Sequence, residues 1–220
     1  MDLTQPETLD IPISNGAGVL AGDLTLPRDP RGLVVFAHGS GSSRMSPRNR
    51  LVAAWLAERG YATLLFDLLT EREAEDRGNV FNISRLAVRV GDALRQIAET
   101  PSTSALRVGL FGASTGAAAA LVAAAEHAET VEAVVSRGGR PDLAGRALSR
   151  VRAPTLLIVG GRDEMVIELN RRALEELRCE KRLDIVPGAT HLFEEPGTLE
   201  NVVSLTAAWF DRHLAEDAGE

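Results

Sequence analysis

The sequence predicts a doubly wound α/β fold, with one mostly parallel sheet of about seven to eight strands and helices on both faces. Three observations carry the prediction. Apolar runs of strand length alternate with helical segments from Gly18 to Leu214, which is the signature of βαβ units. The inner runs are continuously apolar, as strands covered on both faces must be. Neither an internal repeat nor a linker breaks the order, so residues 1–220 read as a single domain.

Taken in order, "GVLAGDLTLP" partly alternates apolar and polar residues, which suits an antiparallel strand near an edge. "GLVVFAH" (32–38) is a short, fully apolar strand. "SPRNRLVAAWLAERG" is a helix, with Pro47 in its first turn and Gly60 as its stop signal. Strand "YATLLFD" (61–67) leads into the charged loop "LLTEREAEDRGNV" and then the helix "ISRLAVRVGDALRQIAE". Strand "LRVGLF" (106–111) feeds an alanine-rich helix. Strands "VEAVVS" (131–136) and "APTLLIVGG" (153–161) follow, then helix "EMVIELNRRALEELR", strand "KRLDIVP" (181–187) and a final helix from about Leu199 to Leu214. The terminal "AEDAGE" reads as a frayed acidic tail.

Composition narrows the function classes. The chain is 45% hydrophobic and 25% charged, as globular domains are. A net charge of −7 argues against nucleic-acid or anionic-membrane partners, which need a basic face. A single cysteine, Cys179, excludes an internal disulfide and a cysteine-cluster metal site. The start "MDLTQPETLD" lacks a basic and an apolar leader region. The longest apolar run, Ala117 to Ala125, is too short to span a bilayer. A cytoplasmic protein is the expectation. There is neither a G-x-x-x-x-G-K-[ST] loop nor an H-E-x-x-H helix, so no cofactor and no metal are expected.

In such sheets ligands sit beyond the carboxyl ends of the strands. Strand 106–111 delivers "GASTG", a G-x-S-x-G between strand and helix that presents Ser114 on a tight turn as a nucleophile. The helix that follows aims its N-terminus at the site, so the Thr115 N–H can donate to an oxyanion. Strand 153–161 delivers "GGRDEMV". There Asp163 is either a helix N-cap or the acid of a triad. Strand 181–187 delivers "PGATHLFEEPG" with His191, which could also be a loop histidine bonded to backbone. The order Ser114, Asp163, His191 is that of a Ser-Asp-His triad in which the histidine takes the serine proton and the aspartate fixes its tautomer. Strand 32–38 delivers "HGSGSSR", whose Ser40 N–H would complete the oxyanion hole. The same segment, with Asp67 after the next strand, has a dinucleotide-binding look. Arg44 stands where that motif needs its third glycine, however, and the helix starts late.

These motifs together resemble the α/β-hydrolase superfamily, and within it the dienelactone-hydrolase-like branch of small members without a cap domain. The resemblance covers about Gly18 to Leu214 and rests on "HGSGSS", "GASTG", "GGRDEMV" and "GATHLFEEPG" in that order and spacing. It implies a carboxylic ester (or lactone) hydrolase that takes a small-molecule ester through an acyl-enzyme. Dienelactone hydrolases proper carry cysteine at the elbow. Ser114 therefore points away from dienelactone and toward general esters. Of the acids, Asp163 occupies the turn where the superfamily carries its own. Asp142 is a rival, and Glu194 is expected to accept bonds from the N-terminus of the last helix. Arg137 and Arg44 are candidates to bind a substrate carboxylate, with a salt bridge as the plainer account of each. Loop 68–82 is either a lid or a solvated loop. Residues 137–153 leave no room for a large cap. Two other readings stay open: an acyltransferase with the same triad, and a non-catalytic binding protein on this fold.

Overall fold

The computed structural model describes residues 7–12 and 18–214. The expected acidic tail lies outside the described residues. The strands are β1 (Glu7–Pro12), β2 (Val19–Thr25), β3 (Leu33–Ala37), β4 (Ala62–Phe66), β5 (Val108–Ala113), β6 (Val131–Arg137), β7 (Thr155–Gly160) and β8 (Lys181–Val186). They join one sheet in the order β1-β2-β4-β3-β5-β6-β7-β8. From β4 through β8 every pairing is parallel, and β2 pairs antiparallel with both β1 and β4. The doubly wound, mostly parallel architecture is therefore as the sequence implies.

Burial follows the apolar patterns. β3, β4, β5 and β7 are buried at every residue, whereas β2 alternates as an antiparallel strand near the edge should. The helices are α1 (Pro47–Glu58), α2 (Glu71–Ala74), α3 (Arg77–Val80), α4 (Ile83–Glu99), α5 (Thr115–Glu126), α6 (Glu164–Glu176) and α7 (Thr198–His213). One face of the sheet packs α1 and α7 around Phe36, Phe111, Trp209 and Phe210. The other packs α4 and α5, with Leu86, Val90, Leu94 and Ile97 in helical spacing on α4. α5 carries alanines because it lies directly on the sheet: a Cβ added to Gly112 would stand 2.4 Å from Ala117 Cα. Larger side chains at that crossing have no volume to occupy.

Three features depart from the sequence reading. β1 adds a strand at the edge, where Ile11 is fully buried although Asp10 beside it is charged and exposed. The charged loop 68–82 contains α2 and α3. A capping box between Thr70 and Glu73 starts α2, and Glu73 also binds Arg89 of α4 at 2.8 Å. The connection after β6, read from the sequence only as a short link, forms 3₁₀ turns within Pro141–Arg150 that break at Gly145, where φ is 50°. Among the described residues no helix is long and apolar enough to cross a membrane.

Candidate active site

β5 runs to Ala113, two residues past the apolar run, so the strand ends directly at Ser114. Ser114 has φ 51° and ψ −123°, a region that side chains other than glycine occupy only under strain. Surrounding backbone holds it there. Its N–H donates to Arg137 O at 3.3 Å, and its carbonyl accepts from Arg140 N–H at 3.0 Å. The flanking residues must be glycine because the turn is crowded. A Cβ on Gly116 would lie 2.2 Å from Ala37 O and 2.4 Å from His38 O, and one on Gly39 would lie 2.9 Å from Ser114 Cβ. β3, its exit loop and the elbow are thus pressed together. α5 begins at Thr115, which puts the positive end of its dipole at the serine.

Asp163 and His191 meet. His191 Nδ1 lies 2.6 Å from Asp163 Oδ2. Asp163 occupies the N-cap position of α6, but its side chain makes no cap hydrogen bond there. The carboxylate is turned to the histidine and does not cap the helix. The His191 loop is tied down by Thr190 N–H donating to Glu195 at 3.0 Å and by Arg162 N–H donating to Ala189 O at 2.9 Å. His191 Cε1 stands 3.7 Å from where a Cβ on Gly138 would be. Gly138 follows Arg137, whose carbonyl accepts the Ser114 N–H, so the His191 ring packs against the residue next to one that holds the serine backbone. Ser114 Oγ itself makes no hydrogen bond among the described residues.

The rival acids are engaged elsewhere. Asp142 accepts two bonds from Arg140, each 2.8 Å. Glu194 is exposed and pairs with Arg48 at 3.2 Å. It does not receive the N-terminus of α7 as expected, because Gly197 intervenes as N-cap and Glu195, not Glu194, turns inward to Thr190.

The exit of β3 forms the third wall. Ser40 N–H donates to Thr115 Oγ1 at 2.8 Å, so the expected oxyanion donor is already engaged by a side chain next to Ser114. His38 is buried, with Nδ1 3.0 Å from Gly39 O and Nε2 accepting Leu68 N–H at 3.0 Å. Burial pushes its pKa below the ordinary value. A cavity of about 930 Å³ opens against this loop, lined by Gly39, Ser40, Leu68, Thr70, Val80 and Leu86 among others.

The two arginines have different fates. Arg44 is taken up by carboxylates: its N–H and its guanidinium both bind Asp67, and its Nε lies 3.4 Å from Asp23. That pairing also occupies the acid a dinucleotide ribose would need. Arg137 is buried with no carboxylate partner among the described residues. It donates to Asn49 Oδ1 at 3.0 Å, lies 5.9 Å from the Phe193 ring centroid, and leaves Nε without a partner. Burial, with Arg48 nearby, pushes its pKa down to about 10. It bridges α1 to the loop that carries His191, where Phe193 itself has φ 55°. No group of three or more His, Cys, Asp or Glu side chains gathers as metal ligands among the described residues.

Comparison with known proteins agrees with the geometry. The model of the dienelactone hydrolase family matches residues 20–213. The chain belongs to the dienelactone hydrolase family. A crystal structure of dienelactone hydrolase from Anabaena variabilis is 55% identical and superposes with a TM-score of 0.90, covering 96% of this chain and 100% of that one. The esterase domain of a Rhodothermus marinus protein shares the fold at 22% identity, with a TM-score of 0.76 over 96% of this chain and 100% of that one. A Mycobacterium tuberculosis protein provisionally named a phosphoribosyl transferase is 60% identical over 205 residues. Those residues are 93% of this chain and 46% of that protein, so the chain spans about half the length of the curated relatives it matches.

The strand-end pattern in the sequence puts Ser114, Asp163 and His191 just beyond β5, β7 and β8, where the structure has them. It does not signal the bond between Ser40 and Thr115 or the buried His38. Both arise from loop packing, and the only sequence hint was a histidine and a threonine next to glycines.

Proposed function

We propose that this protein is a serine hydrolase that cleaves carboxylic ester or lactone bonds of small substrates through Ser114, His191 and Asp163. The observation that carries the reading is the 2.6 Å contact between His191 and Asp163 beside a serine held at positive φ on a strand-to-helix turn. In this scheme His191 takes the Ser114 proton as Oγ attacks the carbonyl. Asp163 holds the imidazole with its proton on Nδ1 and stabilises the imidazolium. The oxyanion is received at the N-terminus of α5, beginning with the Thr115 N–H. His191 then protonates the leaving alcohol, and water hydrolyses the acyl-enzyme by the reverse path. The cavity beside Ser40 mixes Leu68, Leu69 and Val80 with Ser42, Ser43 and Thr70. The short connection after β6 leaves the site without a cap domain, and an open site of that kind suits small or short-acyl substrates.

The transferase name of the mycobacterial relatives belongs to proteins of about twice this span, and nothing in the site geometry favours group transfer to an acceptor other than water. A panel of p-nitrophenyl esters of rising acyl length, with and without EDTA, tests the reading. The expected result is turnover that is highest for short chains and indifferent to EDTA. No turnover on any ester would overturn it.

A further inference from the structure

The oxyanion loop is held in a chain of hydrogen bonds that runs in one direction. Leu68 N–H donates to His38 Nε2 at 3.0 Å, which makes Nε2 the acceptor and leaves the ring proton on Nδ1. Nδ1–H then donates to Gly39 O at 3.0 Å. The Gly39 carbonyl and the Ser40 N–H are two ends of one peptide unit. That N–H donates to Thr115 Oγ1 at 2.8 Å. The peptide is therefore clamped at both ends, by His38 and by Thr115.

At the end of this chain the Thr115 hydroxyl accepts a bond but donates none among the described residues. Its proton is unspent although the side chain is buried, 5% exposed. A buried hydroxyl usually spends its hydrogen. Thr115 is the first residue of α5, next to the nucleophile. On the other side, a Cβ on Gly39 would lie 3.6 Å from Ser114 Oγ, so the residue whose carbonyl heads the clamped peptide lies against the reactive oxygen.

We infer that the second oxyanion donor of this site is the Thr115 hydroxyl, with the Ser40 N–H behind it rather than in direct contact with the oxyanion. The inference rests on the hydrolase reading above. Thr115 then supplies both donors, its backbone N–H and its O–H. The Ser40 amide polarises the hydroxyl by occupying a lone pair, and each bond upstream strengthens the next. No atom is transferred. The charge forming on the carbonyl oxygen draws the hydroxyl hydrogen, which has no competing acceptor to leave. His38 and Ser40 are positioning residues in this account, and Thr115 touches the reacting atoms.

The test compares T115V, T115A and T115S with wild type on a short p-nitrophenyl ester, with circular dichroism to confirm folding and labelling of wild type by a fluorophosphonate run alongside. Valine keeps the shape and removes the hydroxyl; alanine removes the hydroxyl and the methyl together, and both leave the Ser40 N–H without its acceptor. The expected result is a loss of roughly a hundred- to a thousandfold in kcat for both, with KM little changed. T115S should restore the rate to within about tenfold of wild type. If T115V fails to fold, T115A carries the same comparison. Valine and alanine variants as fast as wild type would overturn the inference and return the role to Ser40. So would a serine variant as slow as valine, since the methyl and not the hydroxyl would then matter. Wild type that neither labels nor turns over ester removes the proposed function and this inference with it. Wild type that does both, beside a fully active T115V, removes only the inference.

Discussion

Replacing Asp163 with asparagine separates the two jobs assigned to that side chain. The first is electrostatic. When His191 becomes an imidazolium, the carboxylate at 2.6 Å stabilises it. Two unit charges about 4 Å apart at the effective dielectric of a protein surface attract by about 4 kcal/mol. The His191 side chain is 40% exposed and Asp163 15%, so solvent trims the figure to roughly 2–3 kcal/mol. At about 1.4 kcal/mol per decade, this alone costs some thirty- to a hundredfold in rate. The second job is tautomeric. An asparagine amide that donates to Nδ1 moves the ring proton to Nε2, which then cannot accept from Ser114. Together the losses put kcat for D163N roughly a hundred- to ten-thousandfold below wild type. Stability should barely move, because the Asp163 side chain makes no cap bond to α6. The assay is kcat on a short p-nitrophenyl ester across pH, with melting curves alongside. The residual D163N rate should climb with pH as hydroxide replaces the lost base. Controls are E194Q and D142N, whose carboxylates are spent on Arg48 and Arg140; each should cost less than about tenfold. Near-normal turnover in D163N, with collapse in either control, would show that the acid belongs to another strand.

Three further outcomes follow from the geometry. S114G should melt above S114A, by up to about 2 kcal/mol, because glycine adopts φ 51° and ψ −123° without strain and alanine does not; a lower melting point for S114G would contradict the strained elbow. G116A should destabilise the protein by about 3 kcal/mol or more and abolish turnover, since the new Cβ meets backbone of Ala37 and His38 that cannot yield; a stable, active G116A would mean the elbow is looser than described. Burial holds the folded pKa of His38 below its ordinary 6.5, against weaker opposing effects from Gly39 and Asp67. The folded state therefore binds fewer protons than the unfolded one. The stability this contributes is present above pH 6.5 and is lost as pH falls through the lowered folded value. Wild type should lose stability over that window faster than H38N, by a slope approaching about 1.4 kcal/mol per pH unit. Parallel curves would refute it.

What the sequence disclosed and what it hid have physical causes. Continuous apolar runs mark strands covered on both faces, so β3, β4, β5 and β7 were readable within a few residues. β1 was not, because an edge hairpin strand needs only one buried face and "ETLDIP" offers little more than Leu9 and Ile11. α2 and α3 escaped because one-turn helices have no period to detect. They exist through caps and through the tie from Glu73 to Arg89. In the site, the positions of Ser114, Asp163 and His191 just beyond β5, β7 and β8 were legible because strand ends set them. The fate of each charged side chain was not. Sequence left Arg44 and Arg137 equivalent, and packing gives the first two carboxylates and the second none among the described residues. Ser40 was readable as a loop amide near the elbow, but the hydroxyl it binds depends on how α5 meets β3, which only the crowding of Gly39 and Gly116 reveals.

The central claim is that Ser114 is a nucleophile activated by His191. Peptide mapping of the protein after reaction with a fluorophosphonate tests it most directly. The account predicts a single adduct, carried by Ser114, absent from S114A and much slower to form in H191A. Labelling at another serine, or labelling of S114A at the wild-type rate, would contradict it.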